Sequence, residues 1–490
     1  MKKRFLPISL LLTIIVLAQT SFVANAHGDN GRYTPRSTMQ ATVQSFMKSI
    51  RANQETGLID PAWLIENSSM SQSRNNSLNW TSLGPDNYGS FTKAIIYDKN
   101  DATNQTIYIG TMGGGVFKSV NGGITWKSVS GNMMAISMTQ TEDGTIYVAT
   151  GDGRDVQKQT GLVDINYSTG FEGEGIYRST DNGFERIEAT SEWKFVNEVA
   201  SYGNTVYAAT TDGLFKSTDG TNWEMIVEGI AYGVKVNATG IVIANVKNEE
   251  NTENIYTYNP ESGEEAVIIT DGESLPANAD HKVIATSPND PNYVYIAYLK
   301  KKAADDNNYS NTYESGEIYV TNNFTEENVS WKIAFDKTNM YDVFGNNSFV
   351  DNAMAVYPNN PKKVLLGGSN LWVMEDSNNS GIYRVVQISN GSGFQINNSG
   401  GAYSYNYTYI HTGIQNIAFN PENVNEFFVG SEGGVYKGKY TSNNGYTFEG
   451  MNRYMIDESN HTSVTRMFSV GFSGNTTVIG GSLDHGTIKV

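Results

Sequence analysis

The stretch Thr106 to Val129, TIYIGTMGGGVFKSVNGGITWKSV, decides the fold. A run rich in β-branched and aromatic residues ends in glycines, and a second such run follows. A Ser/Asn/Gly turn then leads to a segment that opens on Trp126. Runs of this kind, bounded by Gly, Asn and Ser, predict short strands joined by tight turns. The stretch therefore predicts three consecutive strands of an antiparallel sheet.

The same pattern returns along the chain. Clear copies are TIYVATGDG (Thr145 to Gly153), which resumes at GEGIYRSTDNGFERIE (Gly173 to Glu188), and TVYAATTDGLFKSTDGTNWEMI (Thr205 to Ile226). An alternating strand with an Asn-Pro type turn, as in AVYPNNP, precedes several copies and gives four strands per unit. Units recur roughly every 40–60 residues, a period typical of propellers. Because one meander exposes two apolar faces that a ring of blades buries, the sequence predicts an all-β, single β-propeller of four-stranded blades.

The number of blades follows from the number of first strands, which favours eight blades. Seven remains possible, because the unit around Val236 is the weakest. The segment NWTSL (Asn79 to Leu83) matches the outermost strand of a unit, and the chain ends on a third strand, GTIKV. The sequence thus predicts a ring closed by N- and C-terminal strands that share one blade. The predicted first strands lie near Ile96, Ile136, Val199, Val236, Ile284, Met354, Ile417 and Phe468.

Three regions are predicted from composition. Residues 1–26 have a basic start, a short apolar run and a small-residue cleavage site, as in a signal peptide. Residues 27–78 form an N-terminal extension with one amphipathic helix, Met39 to Asn53, and a linker. Residues 79–490 form the propeller. The protein is therefore expected to be exported, with no membrane span, and extracellular, cell-surface and periplasmic locations stay open.

Charge and cysteine content exclude several classes of function. The formal net charge is −17 without basic clusters, which argues against nucleic acid as a partner. There are no cysteines, which excludes disulfides, thiolate metal sites and cysteine nucleophiles. No cofactor is predicted, although acidic loops leave Ca²⁺ binding open. The sequence does not indicate the oligomeric state.

Four turns resemble the Asp box, S-x-D-x-G-x-x-W: two have one substitution each, the third is one residue short, and the fourth is degraded. Such a turn joins the two outer strands of a blade, where Ser and Asp bond the turn backbone and the aromatic packs between blades. The resemblance implies a structural role at the blade periphery. The fourth, degraded copy is Thr441 to Phe448. The other matching residues are Ser119, Asn121, Gly123 and Trp126; Ser179, Asp181 and Gly183; and Ser217, Asp219 and Trp223.

Over roughly Asn79 to Val490 the chain resembles Asp-box (BNR-repeat), sortilin (Vps10)-like propellers of secreted Bacteroidetes proteins. The stretch NWTSLGPDNYGSFTKAIIYD, followed by IYIGTMGGGVFKSVNGGITW, carries this resemblance. It implies a protein of the type 9 secretion cargo or cell-surface class. The resemblance lies in motifs of the fold and implies no particular chemistry.

Two groups of residues are candidates for a functional site. Asp152 and Asp155 in GDGRD lie on a long connection between two strands, where they fit paired glycosidase carboxylates, a cation site or a solvated turn. Tyr403, Tyr405, Tyr407 and Tyr409 alternate in YSYNYTY, so in a strand they share one face. That face fits stacking on sugar rings, a protein contact or packing on the next blade.

The sequence favours a non-catalytic binding or scaffolding module at the bacterial envelope. Its partner would be a protein or a polysaccharide. The alternative is a glycan-active propeller, either a xyloglucanase-like glycoside hydrolase or a lectin, that uses the two aspartates and the tyrosines.

Overall fold

A computed structural model describes residues 91–130, 133–153, 172–269, 275, 280–301, 313–336, 342–345, 351–391, 409–451, 467–473, 477–482 and 486–489. The described chain is all-β apart from one short 3-10 helix at Glu188–Thr190. No helix among these residues is long and apolar enough to cross a membrane. The predicted helix Met39 to Asn53 and the segment Asn79 to Leu83 lie outside the described residues.

Seven four-stranded antiparallel sheets follow one another, each with its strands paired in chain order. Blades 1 and 2 contain β1 (Thr92–Tyr97), β2 (Ile107–Thr111), β3 (Gly115–Ser119), β4 (Lys127–Ser128), β5 (Ala135–Gln140), β6 (Ile146–Thr150), β7 (Ile176–Thr180) and β8 (Gly183–Arg186). Blades 3 and 4 contain β9 (Val196–Tyr202), β10 (Thr205–Thr210), β11 (Gly213–Ser217), β12 (Glu224–Glu228), β13 (Ile230–Val236), β14 (Val242–Lys247), β15 (Glu253–Tyr258) and β16 (Val267–Ile268).

The remaining blades repeat this order. Blades 5 and 6 contain β17 (His281–Thr286), β18 (Val294–Lys301), β19 (Tyr313–Thr321), β20 (Lys332–Phe335), β21 (Ala353–Tyr357), β22 (Asn360–Gly367), β23 (Leu371–Glu375) and β24 (Arg384–Gln387). Blade 7 contains β25 (Ile414–Phe419), β26 (Glu426–Ser431), β27 (Gly434–Thr441) and β28 (Gly445–Gly450). A three-stranded sheet follows, made of β29 (Met467–Ser473), β30 (Thr477–Ser482) and β31 (Gly486–Lys489).

The core lies between blades. The described residues form seven apolar clusters, and each joins two neighbouring blades of the ring. Second strands such as β6, IYVAT, are buried along their whole length because a blade packs on each face. Outermost strands such as β12, EMIVE, are half-exposed or exposed because no described strand pairs with their outer edge. A continuous apolar run therefore indicates a strand that is covered on both faces, whereas an alternating run indicates a strand with one exposed face.

The ring closes between blade 7 and blade 1. Strand β1 packs against β25 and β26, and Trp126 joins a cluster with Phe428 across this interface. The Trp126 indole Nε1–H also donates to the Met451 carbonyl at 2.6 Å. A Cβ on Gly430 would lie 2.6 Å from the Thr92 carbonyl oxygen, so glycine permits the close approach of the two blades.

Seven blades, the smaller of the two predicted numbers, form the ring. All eight predicted first strands exist, as β1, β5, β9, β13, β17, β21, β25 and β29. The preference for eight blades was wrong because β25, rather than β29, packs on β1. Among the described residues the ring closes between blade 7, which has its own outermost strand β28, and blade 1. The predicted pairing of Asn79 to Leu83 with the C-terminal strands in one blade stays a prediction, because Asn79 to Leu83 lie outside the described residues.

Replacing Trp126 with alanine tests the closure. Trp126 is 2% exposed, so Trp126→Ala leaves a cavity between blades 7 and 1 and removes the bond to Met451. We expect a loss of roughly 3–5 kcal/mol of unfolding free energy, measured by urea denaturation. Ile124→Ala is the matched control, because Ile124 in the same turn is 57% exposed and should change stability little. Equal effects of the two variants would contradict this closure.

Candidate functional site

The ring has two faces, which follow from the antiparallel order of each blade. We define the mouth face as the end at which the innermost strands β1, β5, β9, β13, β17, β21 and β25 begin. It also carries the turns between second and third strands and the connections between blades. The opposite face carries the turns between third and fourth strands. Loops on one face of a rigid scaffold are the usual place for binding residues.

A central cavity of about 190 Å³ opens along the innermost strands. All seven of these strands contribute to its wall. Most of the side chains around it are polar or charged, among them Lys93, Asn197, Glu198, Lys235, His281 and Gln415. The cavity is therefore a polar channel at the axis of the ring, and we treat its mouth as the candidate site.

A β-bulge near the start of the innermost strand positions many of these side chains. In blades 1, 2, 3, 4 and 7 the pairing with the second strand skips one residue. A bulge leaves one residue outside the ladder and re-aims its side chain. The same bulge therefore recurs in five blades, with a different side chain at the skipped position in each of them. The skipped residues are Lys93, Ile136, Asn197, Tyr232 and Gln415.

Lys93 and Asp152 form a buried ion pair between blades 1 and 2. The Lys93 Nζ lies 3.2 Å from Asp152 Oδ2, and both side chains are almost completely shielded from solvent. Asp152 follows β6, so the mouth-face turn of blade 2 brings its carboxylate to the bulged residue of blade 1. Removing one partner of such a pair would leave an uncompensated buried charge.

A second buried network joins blades 4 and 5. The Glu253 carboxylate contacts His281 Nδ1 at 3.0 Å and accepts a hydrogen bond from the Lys282 backbone N–H at 2.6 Å. The Lys282 ammonium donates to the Glu253 carbonyl at 2.6 Å. Burial alone favours the neutral acid, yet His281 and Lys282 hold the pKa of Glu253 below its ordinary value. Burial also lowers the pKa of Lys282.

Further polar contacts tie the remaining blades together at the mouth. Asn197 accepts from the Gly153 N–H and donates to the Ala231 carbonyl, each at 2.8 Å. The Glu198 carboxylate pairs with Lys235 of the next blade. In blade 7, the Gln415 amide donates to the Asp351 carboxylate of the connection before blade 6. Polar contacts between described residues at the mouth thus join five of the seven pairs of neighbouring blades.

Of the two predicted aspartates, Asp152 is described and Asp155 lies outside the described residues. Asp152 is on the mouth face, but it is buried against Lys93 rather than solvated in a turn. Tyr409 also lies on this face, just before β25. It is 48% exposed and packs edge-on against Tyr436, with ring centroids 6.4 Å apart. Tyr403, Tyr405 and Tyr407 lie outside the described residues.

The first of the Asp-box-like turns lies on the opposite face, between β3 and β4. The Ser119 hydroxyl accepts from the Gly123 N–H at 2.9 Å, and Asn121 Oδ1 accepts from the Thr125 N–H at 3.0 Å. Gly123 has φ +86°, where a Cβ would lie 2.8 Å from the Phe428 ring of blade 7. Side-chain acceptors thus bond the turn backbone, while Trp126 reaches between two blades.

Two further turns of this kind also lie on the opposite face. Ser179 accepts from the Ile146 N–H at 2.9 Å, while Asp181 and Gly183 lie in the tight turn from β7 to β8. Hydrogen bonds from the backbone and side chain of Asn222 and the backbone of Thr221 hold the pKa of the Asp219 carboxyl well below its usual range. Ser217 donates to Asp219 at 3.2 Å, and Trp223 packs on Trp193 with centroids 5.3 Å apart.

Sequence reasoning missed most residues of the mouth. Lys93, Asn197 and Gln415 occupy one equivalent position in TKAII, VNEVA and IQNIA, and Tyr232 has it in AYGVK. Alignment of the repeats at the first strand would have shown a position at which the apolar alternation is broken. Glu253, Lys282 and Asp351 have no comparable signal in the sequence. Among the described residues, no group of three or more acidic or histidine side chains is arranged to hold a metal ion.

The pair Lys93–Asp152 gives a prediction about stability. Asp152→Asn removes the Asp152 charge from beside the buried Lys93 ammonium, so we expect a loss of roughly 3–5 kcal/mol of unfolding free energy. The double variant Lys93→Met/Asp152→Leu should recover much of this loss, because it buries no charge. Urea denaturation of the wild type, Lys93→Met, Asp152→Leu and the double variant measures the coupling. Additive effects of the single changes would contradict a direct interaction.

The Glu253 network gives a prediction about pH. A lowered pKa in the folded state adds stability above the unfolded value near 4.5, and this stability is lost as the pH falls. Glu253→Gln should therefore reduce the unfolding free energy most near pH 7, and its difference from the wild type should shrink below about pH 4.5. Denaturation curves at pH 7, 5 and 3 measure this. A difference that does not change with pH would contradict the prediction.

Comparison with known proteins supports the fold. No protein-family model and no curated protein matches the chain. A GH74 enzyme of Niastella koreensis aligns with 82% of this chain and 59% of its own, at 16% identity and a TM-score of 0.54. The GH74 xyloglucanase of Xanthomonas campestris aligns with 84% and 60%, at 13% identity and a TM-score of 0.57. The chain spans about three fifths of these enzymes, and the likeness shows that it shares their β-propeller fold.

Proposed function

We propose that this protein is an exported, non-catalytic β-propeller that binds a protein or polysaccharide partner at the bacterial envelope through its mouth face. One observation carries the proposal. The buried carboxylates around the channel are held by partners in the chain, Asp152 by the Lys93 ammonium and Glu253 by His281 and the Lys282 backbone N–H. Groups fixed in this way shape and stabilise a surface, and they are poorly suited to exchange protons with a substrate.

A glycosidase needs different carboxylates. One must remain protonated as the general acid, with a raised pKa, while a second acts as base or nucleophile within about 5–10 Å. Glu253 has a lowered pKa, the opposite of a general acid. Asp152 is in direct contact with the Lys93 ammonium. The geometry of the described mouth therefore favours binding over hydrolysis.

The glycan-active alternative is the second candidate, with Asp152, Asp155 and the Tyr403 to Tyr409 stripe as its residues. What supports it is position. Asp152 and Tyr409 both lie on the mouth face, where a polysaccharide would approach the channel. Assignment to the Asp-box, sortilin-like class of secreted Bacteroidetes proteins, with type 9 secretion, is likewise proposed on the motifs of the sequence. A calcium ion in an acidic loop is proposed on the same basis.

The proposal is tested by capture of partners with two variants. Asn416 lines the channel cavity, so Asn416→Arg should lower retention of a specific envelope protein or glycan at least about tenfold. Val120→Arg is the control, because Val120 is 55% exposed in a turn on the opposite face. Cross-linked pull-downs from native envelopes and a glycan array supply the readouts. Equal retention by the wild type and Asn416→Arg would contradict binding at the mouth.

A hydrolysis assay on polysaccharides separates the two candidates. We expect no turnover above background for the wild type. Robust hydrolysis that disappears in Asp152→Ala/Asp155→Ala, with the fold retained by circular dichroism, would replace the binding proposal with the enzymatic one. Because Asp152 is buried in an ion pair, its replacement could disturb the fold. The single variant Asp155→Ala is therefore measured together with the double variant.

A further inference from the structure

The channel wall has hydrogen-bond acceptors that lack donors. Asn245 is 3% exposed and lines the cavity. Its Nδ2 donates to Glu253 Oε1 at 3.2 Å and to the Lys282 carbonyl at 2.7 Å. Its Oδ1 accepts no hydrogen bond from the described residues. Because Asn245 lines the cavity, this oxygen can receive a donor from outside the chain.

The orientation of this amide is fixed by its partners. Both groups on the nitrogen side, a carboxylate and a carbonyl, are acceptors, so the NH₂ end must face them and the oxygen must face the other way. The amide of Gln415, across the channel in blade 7, is fixed in the same manner. Its Nε2 donates to Asp351, and its buried Oε1 has no partner in the described chain. The cavity wall therefore carries two amide oxygens that accept no hydrogen bond from the described residues.

Gly233 leaves space beside the Asn245 oxygen. A Cβ built on Gly233 would lie 2.9 Å from Glu198 Oε2 and 3.1 Å from Asn245 Oδ1. The two oxygens are thus within about 6 Å of each other, on either side of a glycine in the channel wall. They belong to blades 3 and 4, and Glu198 Oε2 also accepts from the Val234 N–H at 2.9 Å. A donor atom that enters beside Gly233 can reach a carboxylate and an amide oxygen together.

We propose that this part of the channel, formed by Glu198, Gly233 and Asn245, binds a protonated primary amine. An ammonium group has three N–H donors, no acceptor and a charge that the Glu198 carboxylate favours. Lys235 pairs with the other Glu198 oxygen, Oε1, which leaves Oε2 on the side of Gly233. The net charge of −17 raises the local concentration of cations around the whole protein.

The inference rests on the proposed binding function and deepens it. The amine is a lysine side chain of a protein partner, inserted into the mouth of the channel. A narrow polar cavity suits one extended side chain that ends in a cation. Such a buried anchor is typical of the few residues that supply most of the affinity of an interface.

The test uses small amines as probes of the whole protein. Titration with n-butylamine, followed by NMR chemical shifts and calorimetry, should show saturable binding. Two related probes separate charge from hydrogen bonding: n-butanol has a donor without a charge, and the larger butyltrimethylammonium has a charge without a donor. We expect both to bind at least roughly tenfold more weakly than n-butylamine, as follows from the loss of a charge-assisted hydrogen bond.

A matched pair of glycine variants places the site. Gly233→Ala puts a methyl group between the two oxygens and should weaken n-butylamine at least roughly tenfold. Gly113→Ala adds the same methyl where nothing lies within 4 Å, so its binding should equal that of the wild type. Neither glycine has a positive φ, and melting curves check that both variants fold. The comparison of n-butylamine with the two other probes uses the wild-type protein, so it does not depend on whether a variant folds.

Three outcomes would overturn the amine site: no saturable binding of n-butylamine, equal binding of n-butanol, or equal effects of the two glycine variants. Equal binding of n-butanol would assign the cavity to hydroxyl groups of a polyol. The outcomes remain distinct from those of the capture experiment. If Asn416→Arg loses a captured partner but the wild type does not bind n-butylamine, only the amine subsite is refuted. If the wild type binds n-butylamine but captures no partner, the proposed function is refuted.

Discussion

The structure depends on the packing of blade 7 against blade 1. Each blade has two apolar faces, so a chain of blades with an open end would leave two such faces in water. Closure requires the first strand of blade 1 to approach blade 7 closely, which Gly430 permits beside the Thr92 carbonyl. The Trp126 indole then seals the outer part of the same interface against Phe428 and Met451. The inner channel exists because this interface completes the circle.

Closure also explains why the mouth is polar. Seven innermost strands meet around one axis, and in five blades a bulge near the start of this strand turns one side chain out of the ladder. These side chains then contact the next blade, as Lys93 does with Asp152 and Tyr232 with His281. Contacts that hold the ring together therefore line the surface that a partner meets.

The sequence predicted local structure well and ring geometry poorly. The first strand of every blade could be located, because alternation and turn residues act within a few residues. Whether the strand near Phe468 enters the ring depends on blade-to-blade packing, and its pattern resembles that of the strand near Ile417. The site was harder still. Asp152 stood out as an acidic turn residue, but its partner Lys93 lies in the preceding blade and looked like an ordinary strand residue.

The chemistry of the mouth is decided by which hydrogen-bonding groups are already used. Asp152 pairs with Lys93, Glu198 Oε1 pairs with Lys235, and the amide nitrogens of Asn245 and Gln415 donate to acceptors of the chain. Glu198 Oε2 and the Asn245 amide oxygen lie on the side of Gly233, where a donor can reach them. A surface whose unused groups are acceptors selects partners rich in donors and disfavours anions. The same contacts that stabilise the ring thus also set the polarity of recognition, so a change in either property alters the other.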